Sequence, residues 1–129
     1  MLESISHIAL VVKDPGRTAA LFQELFGARV IERQDSEGHL ERFIKLGGTW
    51  IALVGAPVER ARTGDHVAFR ATPEVLEATA AKLQAMGREF IRRADTALYF
   101  FDYDEHMFEL DTEDMDEELR RPLHADDVR

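Results

Sequence analysis

"SHIALVV", residues 6–12, and "DHVAF", residues 65–69, decide the fold. Each sets a histidine at the head of an apolar run of strand length. The segments after them are also alike. "KDPGRTAALFQELFG", 13–27, reads as a helix with Asp14 as N-cap, Gly27 as its stop, and Ala20, Leu21, Leu25 and Phe26 at helical spacing. "TPEVLEATAAKLQAMG", 72–87, reads as a helix with Thr72 as N-cap, Pro73 at the first helical position and Gly87 as its stop. His7 precedes Gly27 by 20 residues (27 less 7), and His66 precedes Gly87 by 21 (87 less 66).

The remainder extends the repeat. "ARVIER", "LERFIKL" and "WIALV" are three strands, separated by turns at "DSEG" and "GGT". "REFIRR", "ALYFFD" and "MFELD" answer them in the second half, with a turn at "YDEH". The chain is therefore α+β, a single domain over 1–129 built as two tandem βαβββ modules. Module one spans 4–55, a linker 56–63, module two 64–112, and a charged tail 113–129 that opens as a helix and is loose at its end. Each module has a sheet face that needs cover, from the other module or from a second chain.

The repeat also selects chemistry. Superposing the halves puts His7 on His66, at matching places about a pseudo-twofold axis. In "HMFEL", 106–110, Glu109 interrupts an apolar strand, where an unpaired carboxylate costs several kcal/mol unless it meets a cation. Its counterpart "TWIALV" has no ionisable residue. Two imidazoles and one carboxylate form a ligand set for a divalent transition metal with open positions. A lone histidine at a strand start is ordinarily structural; two in register beside a strand carboxylate are not ordinary. His39 and His124 fall in polar stretches and read as surface residues, and His106 as a turn residue.

The 129 residues include 45% hydrophobic ones, enough for a core. A net charge of −9, from 25 acidic and 16 basic residues, argues against nucleic acid or an anionic membrane as partner. "HIALVV" and "WIALVGAPV" fall short of the roughly 20 residues of a membrane span. The sequence has no cysteine, and the N-terminus lacks the layout of a signal peptide, which reads as a cytoplasmic protein.

At these residues the sequence resembles the vicinal oxygen chelate superfamily, which includes glyoxalase I, bleomycin-resistance proteins and extradiol dioxygenases. The resemblance covers roughly 4–120 and is nearest to the fosfomycin-resistance epoxide hydrolase branch. "ISHIALVVKD", "ERFIKLGGTWIALV", "DHVAF" and above all "LYFFDYDEHMFEL" carry it. It implies a curved mixed sheet around a metal site and a domain-exchanged homodimer. His7 of one subunit would join His66 and Glu109 of the other around Mn(II), with Fe(II), Zn(II) or Ni(II) as other ions. It implies Glu41 as the general base that activates water, and Tyr99 and Trp50 as pocket residues for a small-molecule substrate. The implied reaction adds water to an epoxide or a related oxygenated molecule. The same ligands also suit a thiol transferase, a glyoxalase-like isomerase or an Fe(II) dioxygenase-like enzyme, and the bleomycin-resistance branch offers a non-catalytic drug- or metabolite-binding protein.

The sequence departs from the branch where the phosphonate of fosfomycin is held. The first-strand threonine is Ala9, the arginine and serine before the "YF" strand are Thr96 and Ala97, and the C-terminal arginine is Glu118. Arg62, Arg92 and Arg93 are the cations left to replace them. A phosphonate depends on charge-assisted donors. These exchanges argue for a substrate other than fosfomycin.

Overall fold

The computed structural model describes residues 1–122. Strand β1 (His7–Val12) leads into helix α1 (Pro15–Phe26), then β2 (Arg29–Gln34), β3 (Leu40–Leu46) and β4 (Thr49–Gly55). The second half continues with β5 (His66–Arg70), α2 (Pro73–Ala85), β6 (Phe90–Arg93), β7 (Ala97–Phe101) and β8 (Met107–Asp111), and ends in the short α3 (Met115–Arg120). The surface position of His124 and the loose end of the tail concern residues 123–129, outside the described residues.

The helix signals act as the sequence predicts. The Asp14 carboxylate accepts from the Arg17 N–H at 3.1 Å, and the Thr72 side chain accepts from the Val75 N–H at 3.2 Å. Gly27 ends α1 in the left-handed conformation, where its N–H donates to Gln23 O. The buried stripe of α1 differs from the predicted one. Thr18, Ala19, Leu21, Phe22 and Leu25 are buried, Phe26 is half-buried and Ala20 is exposed. Positions 18, 21, 22 and 25 make one helical stripe, and Ala20 lies on the far side of it.

Each repeat forms its own four-stranded mixed sheet, ordered β1-β4-β3-β2 and β5-β8-β7-β6. The first strand pairs parallel with the last in both: His7 faces Trp50 in one register and His66 faces Met107 in the other. Alternation then assigns the faces. Leu10, Val12, Ile44, Ile51 and Leu53 point to the core from sheet one, and Leu98, Phe100, Phe108 and Leu110 from sheet two. The helices lie between these inner faces. Phe22 of α1 meets Phe108 edge-on at 5.1 Å and Phe100 at 6.2 Å, so module one packs on module two through its helix. The Lys82 ammonium crosses the same seam, donating to the carbonyls of Glu24 and Leu25 at the end of α1. The histidines are left on the outer faces. Sheet one turns out His7, Ala9, Glu41, Phe43, Trp50 and Ala52; sheet two turns out His66, Ala68, Tyr99 and Glu109.

Candidate metal centre

His66 opens β5, and its Nδ1 lies 2.9 Å from the Gly64 carbonyl. A carbonyl only accepts, so Nδ1 is the donor to it, and Nε2 is the ring nitrogen turned toward β8. Nε2 lies 3.0 Å from Glu109 Oε1. The carboxylate is 6% exposed, at the middle of β8 between Ala68 on β5 and Tyr99 on β7. Two electron-donating atoms hold this approach only when a cation, a proton or a metal ion, lies between them. Fixing Nδ1 on a backbone carbonyl is how ligating imidazoles are oriented. The spacing fits as well: two ligands about 2.1 Å from one ion and at a right angle are about 3.0 Å apart. The donor set therefore suits a divalent ion.

The surroundings of Glu109 add charge control. Arg93 Nη2 lies 3.9 Å from Oε2, and the Tyr99 ring meets the His66 ring edge-on at 5.8 Å. Burial, then the neighbouring Glu109 charge, pushes the Tyr99 phenol above its ordinary pKa, which keeps it a hydrogen-bond donor.

His7 is elsewhere. Its Nδ1 is 3.1 Å from Ser6 Oγ, and it lines a separate cavity of about 300 Å³ with Ile31, Arg33, Phe43 and Trp50. Among the described residues no three His, Asp or Glu side chains of the single chain group tightly enough to hold a metal. The two histidines are equivalent by symmetry and yet lie on the outer faces of different sheets. Each half-site has one of the expected pocket aromatics, Trp50 with His7 and Tyr99 with His66.

Comparison with known proteins agrees with this architecture. Residues 4–110 match the model of the glyoxalase/bleomycin resistance protein/dioxygenase superfamily. The chain belongs to that superfamily. Within it, the fosfomycin resistance protein FosX of Listeria innocua is 29% identical, over 94% of this chain and 98% of its own. The metallothiol transferase FosB of Lysinibacillus sphaericus is 26% identical, over 92% of this chain and 88% of its own. A crystal structure of a FosX variant from Listeria monocytogenes, complexed with Mn(II) and 1S,2S-dihydroxypropylphosphonic acid, superposes with a TM-score of 0.80. It is 31% identical and covers 93% of this chain and 100% of that one.

The other singled-out residues of this superfamily member sort by face. Glu41 alternates with Arg42 along β3. Its carboxylate accepts from Arg33 Nε at 3.1 Å, while Arg42 pairs with Glu32 at 2.8 Å. Arg33 and Phe43 link Glu41 to the cavity of His7. Arg92 is engaged by Glu77 on α2, and Arg62 by Glu89 and Glu105 while its guanidinium stacks on Phe101. Arg93 alone of the three reaches Glu109.

His106 is in the turn between β7 and β8, as its sequence context predicts, but it is not at the surface. Its Nδ1 is 2.7 Å from Asp102 Oδ2, and the Asp102 side chain is fully buried. Asp102 Oδ1 accepts from the N–H groups of Asp104 and His106, both at 2.9 Å, and Asp104 accepts from the Lys13 N–H at 3.1 Å. This lock sets the start of β8 and ties it to the end of β1. Its signal in the sequence is the Asp-x-Asp-x-His spacing. His106→Ala leaves a buried carboxylate short of its partner and should cost about 2–3 kcal/mol. Urea denaturation measures this, and His106→Asn, which restores a donor, should recover part of it.

Proposed function

We propose that this chain is a metal-dependent hydrolase that adds water to an epoxide. The observation that carries the reading is His66 Nε2 lying 3.0 Å from the buried Glu109 carboxylate. In the active form, His66 and Glu109 of one subunit and His7 of the other hold one divalent ion, Mn(II) first among candidates. A domain-exchanged homodimer of this kind brings the outer face of sheet one, with Glu41, Phe43 and Trp50, against the outer face of sheet two. The superfamily relative bound to Mn(II) and a vicinal diol, the product that water addition to an epoxide gives, supports this choice.

The ion, when bound, supplies Lewis-acid polarisation of the ring oxygen. The chain's own groups do the rest. The Glu41 carboxylate takes a proton from water as the water oxygen bonds to a ring carbon and that carbon's bond to the ring oxygen breaks. A proton then returns to the former ring oxygen, giving the diol. Tyr99, kept protonated, donates a hydrogen bond near the ring oxygen, and Trp50 and Phe43 wall the pocket. We place the protein in the cytoplasm; among the described residues no helix is long and apolar enough to cross a membrane.

The test is a Mn(II) titration of metal-stripped protein, read by the EPR signal of free ion, and then an epoxide panel with water or a thiol as nucleophile. One ion per chain and release of diol are expected. Glu41→Gln should keep the ion and lose about 100-fold in rate. Turnover only with the thiol, unaffected by Glu41→Gln, would make the chain a thiol transferase instead.

A further inference from the structure

We propose that Arg33 is the positioning residue of the candidate base: it holds one oxygen of the Glu41 carboxylate and leaves the other free to take the proton from water. This deepens the hydrolase reading and rests on Glu41 as its base. On the outer face of sheet one, strand register sets Arg33 of β2 directly opposite Glu41 of β3. Arg33 Nε donates to Glu41 Oε1 at 3.1 Å, the one side-chain hydrogen bond of that carboxylate among the described residues. The guanidinium is fixed from a second side by the Phe43 ring, whose centroid is 5.4 Å from Arg33 Cζ. Both side chains line the cavity of about 300 Å³ at His7. The other cations of this face, Lys45 and Arg29, stand over Trp50 instead, at 5.4 and 5.8 Å.

The repeat gives the position a counterpart. Register carried across both sheets matches Ala52 with Glu109, Phe43 with Tyr99, Glu41 with Ala97 and Arg33 with Arg93. Each half-site therefore has one arginine at the same place on its edge strand. Each arginine turns to the carboxylate that its own sheet provides. Arg93 has Ala97 opposite it and lies 3.9 Å from Glu109. Arg33 has Ala52 where sheet two has Glu109, and it takes Glu41.

The pair does little for the fold. The Arg33 side chain is 64% exposed and that of Glu41 32% exposed, and ion pairs as open as this add little to stability. Its worth lies in direction. A glutamate side chain left alone samples several rotamers, whereas a general base must meet its water within about 3 Å. The guanidinium gives up that rotamer freedom before the reaction begins, and its planar fork sets a direction that an ammonium does not.

Steady-state kinetics of the Mn(II)-loaded full chain, with styrene oxide and propylene oxide as substrates, compare the natural protein with Arg33→Gln, Arg33→Lys, Glu41→Gln and the double variant Arg33→Gln with Glu41→Gln. Arg33→Gln should lower kcat about tenfold, with KM and tight Mn(II) binding changed by less than about twofold. Arg33→Lys should recover part of the loss. The double variant should be no slower than Glu41→Gln alone, because Arg33 acts only through Glu41. In the metal-free protein the proton NMR signal of the Arg33 Nε–H should be protected from solvent exchange, and Glu41→Gln should shift it. Arg33→Gln at the natural rate beside a slow Glu41→Gln, losses that add in the double variant, or an Nε–H signal indifferent to Glu41→Gln overturns the inference and leaves the hydrolase reading in place. Glu41→Gln at the natural rate, or hydrolysis of neither epoxide, overturns Glu41 as the base and this inference with it.

Discussion

Glu109→Gln should abolish Mn(II) binding, and all metal-dependent turnover with it, while leaving the protein folded. Glu109 is 6% exposed in a strand whose neighbours Phe108 and Leu110 are core residues. Glutamine fills the same space without the charge, so the metal-free fold does not lose what a buried carboxylate costs. An amide oxygen is a poor substitute for a carboxylate on a divalent ion, and affinity should fall by about 100-fold or more. Two readouts separate the roles. Free-ion EPR should show no tight site in the variant, and excess Mn(II) should raise the melting temperature of the natural protein only. At a Mn(II) concentration about 100 times Kd, that stabilisation is about 2.7 kcal/mol. A variant that binds Mn(II) normally and melts lower would make Glu109 a structural partner of His66 and rule out the metal centre.

The fold was legible because its signals are local. Histidine-headed strands, Asp14 and Thr72 as caps, and Gly27 as a stop are each read within a few residues, and the repeat reads them twice. Glu109 stood out for a similar reason: a charge between Phe108 and Leu110 violates the pattern of its own strand. The illegible features are set by distant packing. Equivalence of His7 and His66 comes from the repeat, but their separation comes from which faces the modules bury. That choice is made by Phe22 against Phe100 and Phe108, side chains about 80 positions apart in sequence (100 less 22 is 78). The misplacement of Ala20 has the same origin, since the six apolar residues Ala19, Ala20, Leu21, Phe22, Leu25 and Phe26 of α1 allow more than one stripe until the second module selects it. The Asp102–His106 lock was hidden because polar residues spaced by two in a turn look solvated. Only the β7–β8 packing buries them.

Mixing His7→Ala with His66→Ala should restore metal sites that neither variant has alone. The outer face of sheet one is apolar beyond what a free surface needs. Phe43 and Trp50 are half-buried, and Val54 on the same face is 47% exposed. A second copy covering this face with its own sheet two would set His7 against the partner's His66 and Glu109, and twofold symmetry would build the site twice. In a mixed dimer, one site receives His7 from the His66→Ala subunit and His66 with Glu109 from the His7→Ala subunit, and is intact. The other site lacks both histidines. After unfolding and refolding an equal mixture, half the dimers are mixed and each has one intact site of two, so about a quarter of the natural Mn(II) capacity returns. The measurement is tight Mn(II) bound per chain, for each variant alone and for the refolded mixture. Recovery near a quarter requires that ligands come from two chains. No recovery, with both variants folded and dimeric, would require a site completed within one chain, which the positions of His7 and His66 on separate sheets oppose. His66 and Glu109 meet within one chain, so on the proposed reading the third ligand would come from the partner copy.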